Sequence, residues 1–147
     1  MDWKQYVSVA ALLFSLVSFA LTFSLSRTTA VTSVRPVLVF EYAEPEGWVV
    51  RNVGNGPALN VLVAMKDDDS DWSRPVRIPT VKRDGAFELR WLGDVNVRTL
   101  GVSYMDIAAR VYSSESTNDL SEIHERNLLP EWPEDSITAH WKLPPSE

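Results

Sequence analysis

The chain of 147 residues has no cysteine, so it holds no disulfide, no thiol nucleophile and no thiolate metal site. It has two histidines, His124 and His140, sixteen positions apart and with no second ligand three or four residues away, which excludes the usual zinc spacings. No G-x-S-x-G string is present, so the sharp turn that exposes a catalytic serine is missing. The one glycine cluster, Gly54-Asn55-Gly56-Pro57, is not followed by Lys-Ser/Thr and precedes an apolar alternating run, so it is not a phosphate loop. No two carboxylates share an element at a spacing suited to acid–base work. These absences argue against an enzyme, and no catalytic, cofactor-binding or metal-ligating residue is assigned. No cofactor or small-molecule substrate is expected.

Charge is also absent where it matters for location. Tyr6 to Leu25 (YVSVAALLFSLVSFALTFSL) carries no ionisable acid or base, and as a helix it would cover roughly 30 Å, a bilayer's hydrocarbon thickness. The run predicts an N-terminal transmembrane helix within residues 1–26, with Trp3, Tyr6 and Arg27 as interfacial anchors. Ser8, Ala11, Ser15, Ser18 and Thr22 recur at three-four spacing and form one stripe of small and hydroxylated side chains, suited to packing against a second helix. The alternative is a plain anchor whose hydroxyls bond back to their own helix. A cleaved leader would need a shorter apolar core, about 7–15 residues, with a small-residue site close behind it; Thr28-Thr29-Ala30 lies too far along. Lys4 on one flank against Arg27 and Arg35 on the other tilts the C-terminal domain to the cytoplasmic side. The expectation is a single-pass protein of a bacterial inner membrane, with the membrane and other subunits as its partners.

Residues 27–34 are a polar connector. Short runs with period-two alternation follow: Pro36–Tyr42, Trp48–Val53, Ala58–Met65, Arg74–Pro79, Ala86–Leu92, Leu100–Met105 and Ala108–Ser113. Turn residues separate them, and no helical repeat competes. Six or seven strands at this spacing predict an all-β, immunoglobulin-like antiparallel sandwich over residues 35–113. Asn52, Gly54, Gly56 and Pro57 read as a structural turn in which glycine allows a positive φ and asparagine bonds the backbone.

The net charge of −6 resides in the last part of the chain. Residues 114–147 hold eight acids and two bases, whereas residues 1–113 hold twelve of each. An acidic flank repels phosphate backbones, which argues against nucleic acid as a partner. This tail is predicted to be mostly irregular, with a short helix capped by Asn118 and a last turn after Ser136. Leu128, Leu129, Trp132, Ile137 and Trp141 are too apolar for a free tail; they dock on the sandwich or, through Leu128, Trp132 and Trp141, on a partner. Asp67–Asp71 opens like a calcium loop, but Trp72 and Ile78 stand where Gly and Glu are required. A solvated acidic loop is the simpler reading.

Several strings taken together, R-P-V-L-V-F at 35–40, W-V-V-R-N-V-G-N-G-P-A-L-N-V at 48–61, R-W-L-G at 90–93 and L-P-E-W-P-E at 129–134, resemble a group of small, uncharacterised bacterial single-pass membrane proteins. Each has one anchor and one β-rich domain with an N-x-G-x-G-P-A-x-N string. The resemblance implies that architecture and carries over no activity. One departure is Ala109, where a D-x-x-G-R turn would place glycine. The function expected from all this is a non-catalytic accessory subunit of a larger membrane complex, a respiratory or photosynthetic assembly being a natural host. The alternative is a free-standing binding module that recognises a peptide, glycan or ion through the loops at 54–57 and 67–72.

Overall fold

The computed structural model describes residues 3–32, 34–45, 47–66, 71–92, 99–117 and 120–143; side chains on the N-terminal helix are described at Trp3, Tyr6 and residues 11–23. The chain forms two compact units, Met1–Ser33 and Val34–Glu147.

The first unit is one helix, α1 (Trp3–Thr32), with no acid in its first turn and no base in its last. Among the described residues no helix is long and apolar enough to cross a membrane. This corrects the transmembrane span expected over 6–25, and the single-pass, inner-membrane assignment falls with it. The physical reason lies in composition: Ser15, Ser18 and Thr22 dilute the apolar surface of the described part of α1. Thr22 Oγ1 donates to the Ser18 carbonyl at 2.8 Å, so that hydroxyl is spent on its own helix.

The second unit is built of two sheets. The smaller has the order β1 (Leu38–Ala43), β2 (Gly47–Asn52), β5 (Ala86–Glu88). The larger has the order β8 (Leu120–His124), β7 (Val111–Thr117), β6 (Thr99–Met105), β3 (Leu59–Lys66), β4 (Ser73–Arg77), β9 (Thr138–Ala139). All neighbours are antiparallel except β4 and β9, which run parallel. Alternate residues of each sheet meet in one core: Leu38, Phe40 and Val50 from the smaller, and Val61, Val63, Met65, Val76, Leu100, Val102, Tyr104 and Tyr112 from the larger. The division into three and six strands replaces the immunoglobulin-like set of six or seven.

Several local expectations change as well. The run Ala86–Leu92 is a strand only to Glu88, because Leu92 N–H turns back to the Leu89 carbonyl at 2.9 Å. The strand expected at 108–113 begins at Val111 and continues to Thr117. The predicted helix after Asn118 is β8, which pairs with β7 from Thr117↔Leu120 to Ser113↔His124. The ladder to β7 satisfies backbone groups that a short isolated helix would leave open at both ends.

The tail then crosses the outer face of the larger sheet. Ser113 Oγ donates to the Arg126 carbonyl at 2.6 Å, and Leu129 is buried there. Gly101 makes room for it: a Cβ at that position would lie 2.6 Å from the Trp72 ring and 2.9 Å from Leu129 Cδ2. A 3-10 turn follows at Glu134–Ser136, and Arg77 on β4 grips Glu134 with two bonds of 2.9 and 3.0 Å. Bonding to Arg77 holds the Glu134 carboxyl below the usual carboxylate range and raises Arg77 in turn. β9 is thereby delivered to the edge of β4, and a second 3-10 turn, His140–Lys142, ends the described chain.

Candidate functional site

The residues singled out in the sequence fall in separate places. On α1, Trp3, Tyr6, Ala11, Ser15 and Thr22 are exposed and Ser18 is half-buried; the side chains of Ser8 and Arg27 lie outside the described residues. Residues 67–70 of the acidic loop are also outside them. Leu128 and Trp132 are half-buried on the tail, whereas Trp141 is 72% exposed. Among the described residues, no three His, Asp or Glu side chains stand close enough to hold a metal ion.

Asn52, Gly54, Gly56 and Pro57 form an internal node. Asn52 is fully buried at the end of β2, and its side-chain amide makes four bonds. Oδ1 accepts from Val37 N–H (3.2 Å) and Gly54 N–H (3.0 Å); Nδ2 donates to the carbonyls of Gly56 (2.8 Å) and Val81 (3.0 Å). The amide thus ties the segment before β1, the turn after β2 and the Ala58–Val81 bridge together. The two glycines serve close approach. Among the described glycines only Gly47 has a positive φ, while a Cβ at Gly54 or Gly56 would collide with the backbone of Val34, Arg35 or Val37. These glycines answer a steric demand, where the sequence suggested a conformational one. The Asn52 amide is thus turned wholly inward and offers nothing to a ligand.

A second buried node closes the β6–β7 turn. Asp106 Oδ1 accepts from the N–H groups of Ala108 (2.8 Å) and Arg110 (2.9 Å), and Oδ2 accepts from the Tyr112 hydroxyl (3.2 Å). Burial, then this bond, raises the Tyr112 phenol above its ordinary range. Ala109 sits in this turn at φ 59°, the region where glycine is at ease.

The surface that can take a ligand lies elsewhere, where β5 and the C-terminal segment meet at one side of the sandwich. A cleft of about 480 Å³ is lined there by Ala86, Phe87, Glu88, Arg90, Trp91, His140 and Leu143. Phe87 comes from β5 and Trp91 from the turn behind it, their ring centroids 6.5 Å apart. His140 stands edge-on to Phe87 at 5.1 Å, held by β9 pairing and by Nδ1, 3.3 Å from the Arg77 carbonyl. Trp141 stacks edge-on to His140 at 5.0 Å. At the rim, Arg90 bonds Glu88 through Nη2 (2.7 Å) and Nε (2.8 Å). The cleft is therefore apolar and aromatic inside and ion-paired at its mouth, the composition of a recognition site.

Sequence reasoning missed this site. His140 read only as a histidine with no zinc spacing, and Phe87 and Trp91 only as members of the alternating run Ala86–Leu92. The available signal was the apolar tail, which had to dock somewhere; the partner face was not legible. The chain matches no protein-family model, no curated protein and no solved structure in the three comparisons made.

Proposed function

We propose that this chain is a non-catalytic binding subunit that holds a protein partner in the aromatic cleft between β5 and the C-terminal segment. The cleft carries the reading: rings from two distant parts of the sequence surround a space large enough for a bulky side chain, with a charged pair at its mouth to orient what enters. Aromatic walls supply large contact area at low entropic cost, which is how binding anchors work. The strained or bonded polar groups, Asn52, Asp106 and Tyr112, all hold turns together, and none of them faces the cleft lining. An accessory role in a larger assembly fits the first unit too. Leu12, Leu13, Phe14, Leu16, Val17, Phe19, Leu21 and Phe23 on α1 are each at least half exposed, an apolar surface of the kind that marks interaction sites.

The test is a random-peptide display selection against the full chain. Peptides enriched on the wild type should lose binding to His140→Ala and to Leu143→Arg, which alter the cleft from outside the main sheets. Equal binding to wild type and to both variants would end the reading.

A further inference from the structure

The hydrogen-bond phase of β5 indicates how a partner enters. β2 and β5 pair as Val49↔Glu88, Val50↔Phe87 and Arg51↔Ala86. Just outside the strand, Asn52 N–H bonds the Gly85 carbonyl at 2.9 Å and Leu89 N–H bonds the Trp48 carbonyl at 2.8 Å. In an antiparallel ladder the bonded pairs alternate with non-bonded ones. The Gly85 carbonyl, both backbone groups of Phe87 and the Leu89 N–H therefore face β2, and Ala86 and Glu88 direct their backbone groups the other way. β5 is the last strand of its sheet, so among the described residues no strand takes those two N–H and two C=O groups. The opposite edge is different: on β1 the Leu38 N–H is already taken by the buried Tyr104 hydroxyl at 3.3 Å.

Ala86 and Glu88 also line the cleft, as does Phe87 between them. A strand added beside β5 would place the residue opposite Phe87 on the Phe87 face, because paired residues share a face. That face looks between the sheets toward Trp91, His140 and Leu143. The neighbouring residues of the added strand would point outward, one of them beside Glu88. The free edge and the aromatic cleft are thus in phase, one supplying backbone bonds and the other a side-chain socket.

We propose that the partner binds as an extended segment added to the free edge of β5, with one large apolar side chain opposite Phe87 in the cleft. This inference rests on the cleft being the binding site and adds the conformation and chemistry of its occupant.

The probes are an acetylated, amidated heptapeptide, Lys-Thr-Lys-Trp-Lys-Thr-Lys, and N-acetyltryptophanamide, which can fill the socket but cannot extend the sheet. Amide exchange of the full chain is followed by NMR with each. The heptapeptide should slow exchange at Ala86 and Glu88 by at least tenfold and leave Phe87 and Leu89 unchanged. Methylating the two peptide nitrogens that face β5 should weaken binding by at least tenfold. Ala86→Pro removes one outward N–H without touching the ladder to β2, since proline is tolerated at such edge positions; it should weaken the heptapeptide at least tenfold more than the tryptophan amide. Should that variant not fold, the methylated peptides test the same bonds from the other side. If both probes enter the cleft but the Ala86 and Glu88 amides stay as they were, strand addition is wrong and the cleft reading survives. If neither probe perturbs the cleft, both fail.

Discussion

Replacing Asn52 by alanine tests the claim that the N-x-G-x-G-P string is an internal strut. The side chain has no exposure and makes four bonds of 2.8–3.2 Å to backbone groups of Val37, Gly54, Gly56 and Val81. At a net value of about 0.5–1.5 kcal/mol each, their loss sums to roughly 2–6 kcal/mol, and about 3–5 kcal/mol after partial relaxation is the working figure. A domain of this size has about 5–15 kcal/mol in total, so Asn52→Ala should fold but with little margin. With an m-value of about 1–3 kcal/mol/M, the urea midpoint of the full chain should fall by roughly 2 M. Asn52→Asp separates bonding from shape. The introduced carboxylate keeps the two accepting bonds but faces the carbonyls of Gly56 and Val81 with no proton to give. Burial beside two carbonyls raises its folded pKa above the unfolded value of about 3.9. The native state then binds the proton more tightly than the unfolded one. Relative to wild type the Asp variant is most stable at low pH and loses stability as pH rises through the folded pKa. Urea midpoints at pH 5 and pH 8 read this directly. A loss under about 1 kcal/mol for Asn52→Ala, or a deficit in Asn52→Asp that is the same at both pH values, would refute the strut.

Three further outcomes are expected. Ala109→Gly relieves a φ of 59° at the β6–β7 turn; after glycine's unfolded-state entropy is subtracted it should stabilise by about 0.5–1 kcal/mol, read as a Tm rise of about 2–5 °C in a thermal scan. Gly101→Ala drives a methyl against Trp72 and Leu129; it should cost about 1–3 kcal/mol in chemical denaturation, shift tryptophan fluorescence and speed proteolysis near residues 125–133 as the tail lifts. Tyr112 has its phenol raised by burial and by Asp106, so its stabilisation is present below about pH 10 and lost as pH rises through the folded value. The stability difference between wild type and Tyr112→Phe should therefore narrow from pH 8 to pH 11, and a constant gap would count against the Asp106 bond.

Much of the β-domain was legible because period-two alternation is a local property. Leu38 and Phe40 on β1, and Val61, Val63 and Met65 on β3, show their buried face in the sequence, and the structure buries them. Ala109 read as the odd member of a D-x-x-G-R turn, and the structure holds it in the β6–β7 turn at φ 59°. Other features were lost for identifiable reasons. Leu120–His124 looks helical by its acids and its asparagine cap, but a hairpin with β7 outcompetes a short helix. Gly54 and Gly56 look like turn glycines, and only the packing of Val34–Val37 over them reveals the steric demand.

The boundary between the two kinds of knowledge follows the range of the forces involved. The sequence alone placed strands β1 to β4 and β6 to within a few residues, located the acidic excess and showed which catalytic motifs are missing, because each depends on residues close along the chain. It also suggested a membrane span from a run of uncharged residues, and there the structure decided otherwise: among the described residues no helix is long and apolar enough to cross a membrane. Only the tertiary structure decided that three strands face six, that the tail crosses the larger sheet to pair with β4, and that His140 meets Phe87 at 5.1 Å. An alternating pattern specifies the face of a strand and leaves its neighbour open, so the cleft exists only once the Arg77–Glu134 pair and the β4–β9 ladder have brought the two ends of the domain together.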